Sequence, residues 1–371
     1  MSELTLFDFL PEEEAVKYRP IKSTDWKWSF ADYPKEKNGL KVFSCFACGG
    51  GSTMGYKLAG CDVLGCCEID PKMNEVYVKN HNPKYNFLMD IRKFNEIPND
   101  ELPEELFNLD ILDGSPPCTT FSMAGDREES WGKKKKFREG QAEQTLDDLS
   151  FVFIETVAKL RPKVMIVENV EGLIKGEAWS YVQRIYKELN SIGYQVKHWL
   201  CKGEEMGVPQ TRHRVFFIAL RSDIAFNLEY LDMVFNYEPV LFAEVKDVDG
   251  GVEIQGKTYH DLFSYSVYGD ESLAEANIRR KNQRSFFNNK WIYDDKVAPT
   301  VIGNRVNIRA DKKVWMSNND IVSVSTFPTD YDFGTSRNSF VHYICGMSVP
   351  PIMIKRIVTR LIESGVFDYE K

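Results

Sequence analysis

From residue 41 to residue 220 the chain repeats one unit: an apolar run, a polar turn, then a stretch with helical spacing. The runs at 42–47, 63–68, 109–113, 164–168, 194–200 and 215–220 read as buried strands, and 53–59, 72–80, 148–160 and 179–192 read as helices. Strands and helices alternating at this size predict an α/β, doubly wound, Rossmann-like sheet. Such sheets bind ligands outside the carboxyl ends of their strands. The alternation stops near Leu220. Residues 223–334 are more polar, aromatic and basic, and read as a second, smaller domain. The spacing of Pro351–Glu363 predicts a helix that packs back on the first domain, so 335–371 completes 41–222. Residues 1–40 lack periodicity and read as an N-terminal extension.

The formal net charge is −8, but it averages over faces and does not exclude a local basic groove. Between Arg279 and Lys313 there are ten Lys and Arg against three Asp, and Lys133–Lys136 form a second basic run. No stretch reaches the ~18 apolar residues of a membrane span. The acidic first residues do not resemble a secretion signal, and the eight cysteines read as free thiols in a reducing cytoplasm. Cys45 and Cys48 form a C-x-x-C inside an apolar strand and turn, so no metal site is expected.

"VFSCFACGGGSTMGYKLAG" is strand, Gly-rich turn and helix, and "VLGCCEID" is the next strand, ending in Glu68. Gly50 to Glu68 is close to the ~20-residue interval at which an acidic side chain meets a cofactor ribose. Gly49, Gly50, Gly51 and Gly55 do not fit G-x-G-x-x-G, the spacing a pyrophosphate requires. That points to S-adenosylmethionine, which has ribose and adenine but no phosphate; an NAD dehydrogenase is the alternative. Phe46 and Ile69 are placed to flank the adenine, and Asp90, after a third strand, to accept from its amino group.

In "LDILDGSPPCTTFS" two prolines stiffen the segment that leads to Cys118, at the same sheet edge as the glycine loop. "VMIVENVEGL" ends a strand in Glu168 and Asn169. "PQTRHRVFFIAL" offers Gln210, Arg212 and Arg214, the two arginines alternating onto one face. A thiolate, a carboxylic acid, an arginine and a methyl donor together suit methylation of a pyrimidine at C5. Thiolate addition at C6 makes C5 nucleophilic, an acid at N3 offsets the developing charge, and an arginine holds the C2 carbonyl. In a duplex the base must first leave the stack.

Nine stretches in order, "FACGGGSTMG", "EID", "MDI", "GSPPCTTFS", "ENVEGL", "QTRHR", "VAPTVIGN", "STFPTDYDF" and "CGMSVPP", resemble the DNA cytosine-5 methyltransferases of bacteria and phages. The resemblance covers nearly all of residues 41–365 and implies an S-adenosylmethionine-dependent methyltransferase fold with a smaller target-recognition domain. It implies Cys118 as nucleophile, Glu168 as N3 partner with Asn169 beside it, and Arg212 and Arg214 on the flipped base and its phosphate. Cofactor contacts are implied at Phe46, Ala47, Gly49, Gly50, Gly51, Glu68, Ile69, Asp90, Ile91, Pro117, Ser348 and Val349. The sequence departs from the family at Cys48 (a loop glycine), Thr119 (a glutamine) and Met347 (an asparagine).

Residues 119–145 form a long polar loop after the thiol and are expected to act as a lid, with Lys133 and Lys134 near phosphate and Ser122 beside the target. In the second domain Arg279, Arg280 and Arg284, and at the edge Gln210, are the further expected contacts to double-stranded DNA. The expectation is a cytoplasmic, nucleoid-associated monomer, stand-alone or paired with a separately acting restriction endonuclease. Methylation of tRNA and a catalytically silent DNA-binding module are the competing readings, and "ELTLF" at 3–7 faintly resembles a sliding-clamp motif.

Overall fold

The apolar runs become the centre of one large mixed sheet. In the computed structural model, which describes residues 20–117, 149–303 and 307–368, its strands are β1 (Lys41–Cys45), β2 (Asp62–Glu68), β3 (Tyr85–Leu88), β4 (Ile111–Gly114), β5 (Val164–Val170), β6 (Tyr194–Lys202) and β8 (His213–Arg221). The order is β3-β2-β1-β4-β5-β8-β6. Strands β1 to β5 are parallel, whereas β8 runs antiparallel to both β5 and β6. The short β7 (Gln210–Thr211) pairs instead with β10 (Ala298–Pro299), and β9 (Trp291–Ile292), β11 (Ile308–Arg309) and β12 (Val314–Trp315) form a small separate sheet.

Side chains alternate across a strand, and here both sides are buried. Val42, Ile111, Ile166 and Ile218 enter one core; their neighbours Phe43, Leu112, Val167 and Phe217 enter the other. Helices α1 (Gly51–Leu58) and α2 (Pro71–His81) contribute to the first core, and α3 (Ile91–Glu96), α4 (Leu149–Leu160) and α5 (Trp179–Ser191) to the second. Beyond the sheet come α6 (Phe242–Val245), α7 (Lys257–Tyr265), α8 (Leu273–Lys281), α9 (Asn318–Val324), α10 (Asn338–Met347) and α11 (Pro351–Glu363). As the spacing predicts, α11 returns to the first core, where its Ile354 lies against Gly55 of α1.

One strand bound needs correction. Strand β1 stops at Cys45 rather than 47, because Phe46 turns to φ 58° and leaves the strand. Strand β3 has no apolar run; as an edge strand it alternates half-buried and exposed residues. Residues 20–40, within the segment read as an N-terminal extension, pack on the main core through Trp28. Trp28 is buried with its indole N–H donating to Thr326 O at 2.8 Å, and Asp25 pairs with Lys355 and Arg356 of α11, each at 2.6 Å. The smaller domain also has a narrower centre than 223–334. Ile254, Leu262, Phe263, Leu273, Trp291, Tyr293 and Ile308 form its own core, while Leu228, Phe242, Ile321 and Phe327 join the main one.

Strands β2 and β3 approach so closely that a Cβ on Gly65 would lie 1.8 Å from the Tyr85 carbonyl oxygen. Gly65→Ala must therefore move backbone rather than a flexible side chain. The expected loss is about 3 kcal/mol of unfolding free energy, read from the urea midpoint at unchanged m.

Candidate active site

The loop between β1 and α1 is wound by backbone turns to positive φ at Phe46 (58°), Cys48 (47°) and Gly50 (83°). Glu68, buried at the end of β2, holds it: one carboxylate oxygen accepts from Cys48 N at 2.8 Å and the other from Asp70 N at 2.8 Å. Burial pushes the Glu68 carboxyl up, and these amide donors oppose the rise. From behind, Tyr331 donates its hydroxyl to Gly49 O at 2.5 Å, and His81 Nε2 lies 3.2 Å from the same oxygen. The far side of the loop meets the C-terminal segment, since a Cβ on Gly51 would strike Val349 O at 2.3 Å and Ser348 Cβ at 2.8 Å. Burial pushes the Cys48 thiol up to about 12, with Glu68 adding to the rise. Asp90 caps α3 by accepting from Arg92 N at 2.9 Å, Ile91 is buried behind it, and Ile69 is half-buried after Glu68.

Strand β4 ends in Asp113 and Gly114 at the same edge, followed by Ser115, Pro116 and Pro117. On β5, Glu168 and Asn169 are next along that edge, with Asn169 buried and its Oδ1 accepting from Val170 N at 2.8 Å. Because β8 is antiparallel, its first residues lie beside the carboxyl end of β5, with Arg214 opposite Val170. Arg214 Nε is 2.7 Å from Glu168 Oε1. Arg212 is buried, donating to Val301 O and Gly346 O, both at 3.1 Å. Burial, reinforced by Arg214, pushes its guanidinium down to about 9, so it remains cationic at neutral pH.

Of the residues singled out in the sequence, Phe46, Ala47, Gly49, Gly50, Gly51, Glu68, Pro117, Glu168, Asn169, Arg214, Ser348 and Val349 lie at or beside this edge. Cys118, Ser122, Lys133 and Lys134 lie outside the described residues. Gln210, expected as a contact to DNA, is instead buried, donating to Val324 O at 3.1 Å and accepting from Val301 N at 3.0 Å. Arg212 likewise is turned inward onto two carbonyls. In the small domain Arg279 is ion-paired with Asp270 and Arg280 with Asp261, whereas Arg284 is exposed. Met347 is exposed and close to Gly303. His81 and Tyr331 escaped sequence reasoning, although Tyr331 sits in the "STFPTDYDF" stretch. Among the described residues no His, Cys, Asp or Glu cluster could hold a metal.

Sheet, loop and edge define a Rossmann-like methyltransferase fold. Solved structures of a Spodoptera frugiperda DNMT2 mutant (TM-score 0.61, 14% identity, 87% of this chain and 100% of that one) and of S. pombe Dnmt2 (TM-score 0.57, 14% identity, 88% and 99%) share it. The family model for C-5 cytosine-specific DNA methylase matches residues 40–363, and the chain belongs to that family. Among curated relatives, Type II methyltransferase M.NgoPII of Neisseria gonorrhoeae is 29% identical over 201 residues, 53% of this chain and 52% of its own. M.BspRI of Lysinibacillus sphaericus is 23% identical over 382 residues, 90% of this chain and 83% of its own. The chain spans about half the length of the first curated relatives it matches, M.NgoPII and M.FnuDI of Fusobacterium nucleatum.

Burial pushes the His81 imidazole down to about 3 and that of His342 to about 4. Unfolded imidazole takes its proton near 6.5. Their contribution to stability is therefore complete above that pH and drains away as pH falls toward the folded values. Asp113, pushed up to about 7, acts in the opposite sense over the same range, so the check is made on the rings themselves. In an NMR titration the His81 and His342 ring resonances are expected to stay at their neutral positions from pH 8 to pH 5. A midpoint near 6.5 for either would refute its burial.

Proposed function

We propose that the protein transfers a methyl group from S-adenosylmethionine to C5 of a flipped-out cytosine in a specific double-stranded DNA sequence. The observation that carries this reading is the Glu168–Arg214 pair, 2.7 Å apart, at the edge that also carries the Glu68-held glycine loop and the Pro-Pro segment leading in sequence to Cys118. Family membership supports it. The residues at the loop suit the cofactor: Glu68 and Asp90 are carboxylates that can accept from ribose hydroxyls and an adenine amino group, and no phosphate cradle of G-x-G-x-x-G form is present. Phe46, Ile69 and Ile91 would supply apolar contact, and Gly49–Gly51, Pro117, Ser348 and Val349 the walls. Bound S-adenosylmethionine supplies an electrophilic methyl on a sulfonium.

The protein's own groups prepare the base. The Cys118 thiolate adds to C6, forming a C–S bond, while Glu168 delivers a proton to N3. Arg214, held against Glu168, offers its remaining donors to the C2 carbonyl, and the buried charge of Arg212 beside it favours electron density arriving on the ring. C5, now nucleophilic, takes the methyl group. Loss of the C5 proton to solvent water breaks the C6–S bond and expels the Cys118 thiolate, and N3 returns its proton to Glu168. Arg284 and the lysines at 133 and 134 are proposed to meet the phosphates, and 119–145 to close over the target. The work is proposed to take place in the cytoplasm on nucleoid DNA, by a monomer, with or without a cognate endonuclease.

Strand-resolved 5-methylcytosine mapping of DNA from expressing cells tests product and site together. A blank map, or transfer to tRNA alone, would overturn the reading. A duplex whose target carries 5-fluorocytosine is expected to trap a covalent adduct, because fluorine cannot leave C5 as a proton does. Cys118→Ser should form none, and Glu168→Gln should slow methyl transfer about 10²-fold or more.

A further inference from the structure

Asp113 is a buried carboxyl that the chemistry above does not use. It is 2% exposed, on β4, five residues before Cys118 in the chain. Ser44 on β1 donates its hydroxyl to one Asp113 oxygen at 2.6 Å, and Tyr56 on α1 donates its phenol to the other at 3.0 Å. Ser44 and Tyr56 are themselves 1% and 0% exposed. They flank the glycine loop: Ser44 lies on the strand that enters it, and Tyr56 on the helix that leaves it. One carboxyl therefore grips both sides of that loop from the strand that continues toward the thiol.

An ionised carboxylate placed there without partners would be costly, and an apolar side chain would fill the position at less risk. Its presence needs a reason other than burial. Resting on the reading of this edge as a methyltransferase site, we propose that Asp113 is a positioning residue for methyl transfer, fixing the glycine loop and its helix relative to the strand that leads to Cys118. The reaction needs sulfur, base and methyl donor in one geometry, and misplacement by about an ångström costs on the order of 10²-fold in rate. The groups that act electrostatically with Asp113 are Tyr56 on α1, Tyr77 on α2, Cys45 on β1 and Glu168 on β5. Desolvation pushes the Asp113 carboxyl up to about 7, while the Ser44 and Tyr56 hydroxyls lower it and the Glu168 charge raises it. The ionised form accepts from both hydroxyls, whereas the protonated form must turn one oxygen into a donor, so the hydrogen-bond arrangement of the grip changes as pH falls.

Asp113→Asn, Ser44→Ala and Tyr56→Phe are compared with the wild type. Active sites are titrated by adduct formation on the 5-fluorocytosine duplex, and rates are expressed per titrated site. The expected result is a kcat about tenfold lower in each variant, with KM for S-adenosylmethionine changed by less than about threefold. The wild-type pH–rate profile is expected to show a near-neutral inflection that Asp113→Asn lacks. Ser44→Ala and Tyr56→Phe remove single hydroxyls and decide the matter if Asp113→Asn does not fold. Unchanged kcat per titrated site, or a loss confined to the titratable fraction, overturns the positioning role. A wild type that transfers no methyl group to DNA overturns the reading of the edge and this role with it; active wild type with unaltered variants overturns this role alone.

Discussion

A sheet buried on both faces leaves its polar chemistry one place to gather. Strands β1, β4, β5 and β8 send alternate side chains into two apolar cores, and each large side chain so buried contributes roughly 1.5–3 kcal/mol. Charged groups are excluded from such faces unless they are paired. Glu68, Glu168 and Arg214 stand at or near the strand ends, and the more deeply buried Asp113, near the end of β4, takes two buried hydroxyls with it. The antiparallel β8 adds to the effect. A parallel strand at that position would have carried Arg214 to the opposite edge, away from Glu168.

The glycine loop shows how backbone and side chain divide this work. Phe46 and Cys48 adopt left-handed conformations that cost a non-glycine residue roughly 1–2 kcal/mol each. That strain is offset by specific partners: Phe46 N donates to Cys67 O at 2.9 Å, and Cys48 N to the buried Glu68. At Gly50 no side chain could be accommodated at all, since a Cβ would lie 2.1 Å from His81 Nε2. The substitution of a family glycine by cysteine is thus tolerated at position 48, where the backbone hydrogen bond does the holding, and would not be at position 50. The same His81 is kept neutral by burial, so it braces the loop without placing a second charge beside Glu68.

What the sequence made legible follows from period and length. Continuous apolar runs located six of the sheet's strands, and the three-and-four spacing of α11 placed that helix to the residue. The edge strand β3 was not legible as a run because it is half-exposed, and the reversal of β8 leaves no mark on an apolar pattern that reads the same in either direction. Motif residues were located where their chemistry is local to a strand end, as with Glu68, Glu168 and Arg214. The burial of Gln210 and Arg212 was not legible because the groups that meet them, carbonyls and an amide of residues 301, 324 and 346, come from far along the chain. His81 and Tyr331 were invisible for a related reason: their partner, Gly49 O, is 32 and 282 positions away.

That dependence on distant partners extends to the whole edge. The glycine loop is braced by Tyr331 and bounded by Val349; Arg212 is held by Gly346; and α11, packed under α1, is tied through Asp25 to the first described residues across 331 positions. Every one of these contacts joins a residue before 221 to a segment after residue 300. Their loop-closure cost is met only once the chain has passed through the small domain and returned. The strands of the large sheet can pair earlier, because all seven of them lie between Lys41 and Arg221. The consequence is a separation of roles along the chain: strands between Lys41 and Arg221 build the sheet, and described segments after residue 300 set the geometry of its edge. Between them, Ile254, Leu262, Phe263, Leu273, Trp291, Tyr293 and Ile308 bury one another in a core of their own.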